Sequence, residues 1–140
     1  MTSVPIALKR LTRNDVSWIE PRSNSHQSGI NLPIKSFAEM FSDVISGKEN
    51  VPRKKFTSHW YFADGSQANE TEIEIAFYKS KSELRILKVP KKNTRNILRE
   101  KNLLLIRRDE KFLHITHLIP NSEHLIKELG LNYLVDILPK

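Results

Sequence analysis

Residues 56–89 read FTSHWYFADGSQANETEIEIAFYKSKSELRILKV, and the alternation within them is that of β-strands. Phe56, Ser58, Trp60 and Phe62 alternate with polar residues up to Asp64-Gly65-Ser66, a turn signal. Beyond the turn, Ile73, Ile75 and Phe77 repeat with the same period, and Glu72 and Glu74 fall on the other face. Successive side chains of a strand point to opposite sides, so each run has one face to bury and one to hydrate. The aromatic residues share the apolar face, which predicts that they are core. The pattern is interrupted by the polar segment Lys79–Arg85, KSKSELR, before a further strand near Leu84–Val89.

Upstream, Val4–Leu11 has strand character, with Ile6 and Leu8 alternating against polar neighbours. Thr12–Ser28 has no sustained period and is rich in Asn, Ser and Arg, which predicts a long loop. Loops beyond about 12–15 residues are uncommon in compact domains and are often functional. Ile30 and Leu32 give a brief second strand before Pro33. Phe37, Met40, Phe41, Val44 and Ile45 fall at helical spacing and predict one helix, with Gly47 at the position of a C-terminal cap. Downstream, the basic connector Pro90–Lys101 leads into Leu103–Arg107 and Phe112–Ile119, a hairpin around Asp109-Glu110. Asn121 or Ser122 can cap a short helix through Leu125, Ile126 and Leu129, ended by Gly130, and Tyr133–Leu138 supplies a closing strand. Many short strands with two helices predict a mainly β domain, a partly closed barrel whose ends the helices cover. Residues 1–140 are the size of one domain with a single core, without repeats, linkers or low-complexity segments.

Net charge is +7, from 23 Lys or Arg against 16 Asp or Glu. Between Lys79 and Lys111 there are twelve basic and four acidic residues, a local surplus of +8, so the rest of the chain sums to −1. A surplus confined to one contiguous third of the chain is the footprint expected for a polyanionic partner, set against the plainer reading of a soluble basic surface. The absence of cysteine excludes disulfides, cysteine nucleophiles and thiolate metal sites. No apolar run is long enough to span a bilayer, and MTSVPIALKR is too short an apolar stretch for a signal peptide. The expectation is a soluble intracellular domain with no membrane partner.

Catalysis by the chain alone finds little support in the residues. Metal-dependent nucleases of the restriction type place one carboxylate, then an Asp or Glu two residues before a Lys, on a sheet to hold the metal and position the attacking water. The single Asp-x-Lys here, Asp109-Glu110-Lys111, lies at a hairpin tip, and Glu72 and Glu74 have no Lys two places on. His114 and His117 are three apart, which on a strand points them to opposite faces, so they are expected to be one half-buried and one surface histidine rather than metal ligands. His59, beside Trp60, is expected to be structural. No glycine-rich phosphate loop is present.

The two polar segments carry the chemistry that reads base edges in a DNA groove. Arg or Lys suits guanine, Asn or Gln suits adenine, and Glu suits the cytosine amino group. The first segment, from Arg10 to Gly29, reads RLTRNDVSWIEPRSNSHQSG; the second is Lys79–Arg85. Candidate base contacts are Arg13, Asn14, Arg22, Asn24, His26 and Gln27 in the first, and Lys79, Lys81, Glu83 and Arg85 in the second. His26 has no apolar neighbours to explain it as a packing residue. Lys81, Glu83 and Arg85, two apart on an extended segment, would share one face. Lys9, Arg10, Lys88, Lys91, Lys92 and Arg95 are the candidates for phosphate contact. Trp18 is expected to anchor the first segment against the barrel, with contact to a thymine methyl as the alternative.

The run Leu8-Lys9-Arg10-Leu11, then Asn14-Asp15, then His26-Gln27, Gly29 and Pro33, resembles the N-terminal effector domain of the EcoRII type of restriction endonuclease, whose pattern is K-R-L-x-x-N-D…H-Q-x-G-x-x-x-P. Ser82-Glu83-Leu84-Arg85-Ile86 is similar to that family's N-E-K-R-I stretch. The resemblance spans most of the chain in short patches. It implies the fold of the plant B-three transcription-factor domains: a seven-stranded open β-barrel with two helices, a DNA-binding pseudobarrel. Such a barrel embraces the major groove with an N-arm between the first two strands (here about residues 12–29) and a C-arm between the fourth and fifth (about 79–85). The strand order read from the residues puts the two polar segments at those junctions. His26 matches the N-arm histidine of the family, and Lys81, Glu83 and Arg85 match charged C-arm positions. Trp18, Pro21 and Arg22 stand where that arm is glycine-rich, Asn31 replaces an aromatic and Leu84 replaces a Lys, so the resemblance does not carry a target sequence with it.

What the resemblance implies is a sequence-specific double-stranded DNA-binding domain of a bacterial, cytoplasmic type II restriction endonuclease within a restriction–modification system. Such a domain would have no cofactor of its own and would partner a separate nuclease domain that uses Mg²⁺. The alternatives are a small Mg²⁺-dependent DNA nuclease or a B-three-type transcription factor. An RNA- or single-strand-binding barrel ranks below these, because Phe56, Trp60, Phe62 and Phe77 alternate as core residues rather than as exposed stacking platforms.

Overall fold

Alternating strands and short helical turns make up the computed structural model, which describes residues 6–17, 29–94 and 97–119. In chain order these are β1 (Ile6–Arg10), α1 (Arg13–Val16), β2 (Ile30–Leu32), α2 (Ile34–Phe37), α3 (Ser42–Ile45), β3 (Arg53–Tyr61), β4 (Gln67–Tyr78), β5 (Glu83–Leu87), α4 (Lys91–Thr94), β6 (Leu103–Arg108) and β7 (Phe112–Leu118). The seven strands form one sheet in the order β1-β6-β7-β3-β4-β5-β2, nearly closed into a barrel. Only the β3–β7 pair is parallel among them; the others are antiparallel. The mainly β, barrel-like fold expected from the alternation is therefore present. Among the described strands, β1 and β2 end this order, and they are the strands that the N-arm joins.

The alternation in β3, β4 and β5 puts Phe56, Trp60, Ile73, Ile75, Phe77, Leu84 and Ile86 into one buried cluster with Leu104, Ile106, Leu113 and Ile115. Burying each such side chain contributes about 1.5–3 kcal/mol. Ser58 occupies an apolar register position because it serves Trp60. The indole N–H donates to Ser58 Oγ at 2.9 Å, and the hydroxyl donates to the Thr71 carbonyl at 2.7 Å. A bulge follows at once: Ser58 pairs with Thr71 but Trp60 pairs with Ala68, and Glu70 takes up the extra residue with φ 52°. Glu70 N–H donates to His59 Nδ1 at 3.4 Å, and the His59 ring packs edge-on to Phe112 at 4.7 Å, so His59 braces this bulge.

The helical stripe from Phe37 to Ile45 is not one helix. Met40 O, which in a continuous helix would accept from Val44 N–H, instead accepts from Arg108 Nη1 at 2.8 Å, and Val44 N–H turns to Phe41 O at 3.0 Å. The helix breaks there into α2 and α3, while Phe37, Met40, Phe41 and Val44 all remain buried. Arg108 also forks onto Asp43 at 2.8 and 2.9 Å and lies over the Phe56 ring at 4.8 Å, fastening the end of β6 to α3. Gly47 is not a left-handed cap. It is needed because a Cβ there would lie 2.5 Å from Pro52 Cβ. The expected helix near Asn121–Gly130 and the closing strand Tyr133–Leu138 lie outside the described residues.

Candidate nucleic-acid interface

The N-arm does not leave β1 as a loop. Thr12 caps α1: its hydroxyl accepts from Asp15 N–H at 3.4 Å, and its own N–H donates to Asp15 Oδ2 at 2.8 Å, a reciprocal capping box. Asp15 does more than close that turn. Its Oδ2 also accepts from Thr12 Oγ1 at 2.9 Å and from Lys9 Nζ at 3.0 Å, while Oδ1 accepts from Asn31 N–H at 3.0 Å. Lys9 belongs to β1 and Asn31 to β2, so one carboxylate ties together the two end strands of the described sheet. Lys9 and Asp15 are 4% and 3% exposed. Charges taken out of water need close pairing and full use of their hydrogen-bonding capacity, and Asp15 has donors on both oxygens. This corrects the assignment of Lys9 to a phosphate: its ammonium is buried and committed within the protein.

Asn31 lies directly opposite Arg85 in the β2–β5 pair, and the residues to either side of each are buried, so both side chains face outward together. Glu83, two residues before Arg85 on β5, shares that face. Arg85 Nε donates to Glu83 Oε2 at 3.1 Å, Nη2 donates to the same oxygen, and the guanidinium sits 4.8 Å from the Tyr78 ring centroid. Glu83 and Arg85 therefore form an internal pair in the free protein, 32% and 27% exposed. Arg13 and Asn14 project from α1 as exposed side chains, and α1 packs beside β2. The roots of both arms thus meet across β2, which contributes Asn31 between them.

The C-arm is a tight turn rather than an extended run. Tyr78 and Glu83 are the last paired residues of the β4–β5 hairpin, Lys79–Lys81 form a 3-10 turn, and Ser82 has φ 50°. That left-handed residue swings the chain between Lys81 and Glu83, so Lys81 does not continue the face of Glu83 and Arg85. Lys79 and Lys81 are exposed at the turn, and Lys79 Nζ donates to Gly47 O at 2.6 Å. Arg10 and Lys92 are exposed, and Lys88, also exposed, lies 3.5 Å from Glu74 Oε2. Trp18, Arg22, Asn24, His26, Gln27, Arg95 and the side chain of Lys91 lie outside the described residues.

The two histidines and Asp109 of the last hairpin make contacts within the protein. Asp109 accepts from Phe112 N–H at 2.7 Å and Lys111 N–H at 2.9 Å, and bonds His114 Nε2 at 2.7 Å; these contacts, the Phe112 amide first, lower its pKa to about 2. His114 is half-buried and His117 buried, so neither is the surface histidine expected of the pair. His117 Nδ1 accepts from Ala63 N–H at 3.1 Å, Nε2 bonds Asn102 Oδ1 at 2.8 Å, and burial pushes its pKa down. Among the described residues no group of three His, Asp or Glu side chains is arranged to hold a metal ion. None of the described helices is long and apolar enough to cross a membrane.

Sequence reading missed Asn31 as an outward-facing neighbour of Arg85, Tyr78 as its aromatic support, and Asp15 as the clasp. The spacing Thr12-x-x-Asp15 was the available signal for the last. Comparison with protein-family models and with curated proteins finds no match to this chain.

Proposed function

We propose that the protein is a sequence-specific double-stranded DNA-binding domain of the restriction-endonuclease effector type, reading bases with two arms. The observation that supports this most is the convergence at β2, where α1 of the N-arm is bound through Asp15 to Asn31, and Asn31 stands opposite Arg85 beside the C-arm. A single groove could then meet Arg13, Asn14, Asn31, Glu83 and Arg85 as one surface, and the exposed Arg10, Lys88 and Lys92 are the residues proposed to neutralise phosphates. In this reading the partner is duplex DNA, and cleavage belongs to a separate Mg²⁺-dependent nuclease domain, on this or another chain, in the bacterial cytoplasm.

Selection of bound sites from a random duplex pool tests the proposal. The expected result is one enriched sequence whose affinity falls steeply with salt. Lys92→Ala should weaken all duplexes alike and lower the log–log salt slope by about one unit. A pool that emerges unenriched, or binding indifferent to salt, rejects it.

A further inference from the structure

We propose that the buried Lys9–Asp15 pair is a positioning device: it fixes where the N-arm leaves the barrel and couples that arm to the strand pair bearing Arg85. This rests on the duplex-reading function proposed above. Three observations carry it. Lys9 comes from one edge strand, and Asp15 stands in the first turn of the arm itself. The second oxygen of Asp15 takes Asn31 N–H, on the side of β2 away from its described partner β5. Asn31 in turn faces Arg85 across the β2–β5 pair. A displacement of α1 therefore breaks the bond to β2, and a displacement of β2 shifts the neighbour of Arg85.

A pair that only contributed to stability would behave differently. Partial unfolding removes active protein equally from every duplex, so it leaves the ratio of cognate to random affinity unchanged. A mispositioned arm lowers the ratio, since random binding needs phosphate contacts but not base register. A phosphate-contacting Lys9 would show a third signature, a salt slope smaller by about one unit with the ratio preserved.

The test uses the full chain as Asp15→Asn, Lys9→Met, the Lys9→Met/Asp15→Asn double variant, which strands no charge if a single variant folds poorly, and the conservative Lys9→Arg. Affinities for the selected site and a random duplex are measured at two salt concentrations. Asp15→Asn and Lys9→Met should lose about 10- to 100-fold in the ratio, comparable to misreading one base pair, at an unaltered slope. Lys9→Arg should recover most of it. An unchanged ratio in folded Asp15→Asn, or a reduced slope in Lys9→Met, overturns the inference. Amide exchange without DNA separates this failure from failure of the duplex-reading proposal. If the pool yields no site, Asp15→Asn should still speed exchange at Asn31 and its β2 neighbours while β6 and β7 keep their protection. Uniform acceleration across the sheet would leave the pair as a stabilising contact and nothing more.

Discussion

Glu83 and Arg85 offer a prediction in which sign, not only size, distinguishes base reading from surface pairing. Glu83 occupies Arg85 through Nε and Nη2 in the free protein, at about one-third exposure on both sides. A pair that open to solvent is worth about 0.2–1 kcal/mol, so DNA can reorganise it cheaply. A well-formed contact to a base edge discriminates by about 1–3 kcal/mol. Arg85→Ala should therefore cost the cognate site about 1–3 kcal/mol. Glu83→Ala has two opposed consequences: it removes an acceptor for a cytosine amino group, and it frees Arg85 while deleting a negative charge. The net expectation is a loss of about 1–2 kcal/mol on the cognate site, roughly 5- to 30-fold, together with a modest gain on random duplex. Fluorescence anisotropy titrations of both variants on both duplexes at one fixed salt concentration read this directly. If Glu83→Ala moves cognate and random affinity in the same direction by the same factor, Glu83 reads no base.

Two further predictions concern the scaffold. Ser58→Ala should orphan the buried Trp60 N–H and destabilise the protein by about 1–3 kcal/mol in urea unfolding, and a change below about 0.5 kcal/mol would mean that the relay to Thr71 does not form in solution. Acid should lower stability in two stages. His117 has a folded pKa below its ordinary value of 6.5 because it is buried, so the unfolded chain binds a proton that the folded one does not, and stability falls as pH drops below 6.5. Asp43 is held well below 3.8 chiefly by its hydrogen bond to Arg108, so its contribution is complete above 3.8 and is lost as pH falls below it. Unfolding midpoints that stay flat from pH 7 to pH 5 would contradict the first stage, and an Asp43→Asn variant that keeps the full loss between pH 4 and pH 3 would contradict the second.

What the sequence made legible was the part governed by local alternation. Phe56, Trp60, Ile73 and Ile75 lie inside because period two leaves them one face, and the hairpins at Asp64-Gly65 and Asp109-Glu110 followed from their turn chemistry. Long-range hydrogen bonding was not legible. The helical stripe from Phe37 to Ile45 is intact as a pattern, yet a guanidinium 68 residues away captures the Met40 carbonyl and splits it. Similarly, no composition rule shows that Ser82 adopts a positive φ, and that single dihedral separates Lys81 from the face of Glu83 and Arg85. The site was legible as a list of polar residues but not as an arrangement. Lys9 had the composition of a phosphate ligand, and only its burial against Asp15 shows that its charge is already satisfied.

The Asp15 clasp bears on why the arm root sits where it does. A sheet that closes by backbone pairing has no free edge, whereas among the described residues β1 and β2 are the terminal strands of the order and form no ladder with each other. The segment linking these two strands bridges the gap: Thr12 and Asp15 close its first turn, and the same carboxylate takes the amide of β2 and the ammonium of β1. The bridge between β1 and β2 and the first turn of the arm thus share one carboxylate. An arm anchored this way starts from a buried, fully bonded carboxylate rather than from a frayed strand end. Its exposed residues Arg13 and Asn14 share a four-residue helix with that anchor, one whose N-cap, Thr12, is itself bonded to the Asp15 carboxylate. Variation in the outward side chains of α1 can therefore change what the surface presents without disturbing that bridge, whereas any change at Asp15 alters both together.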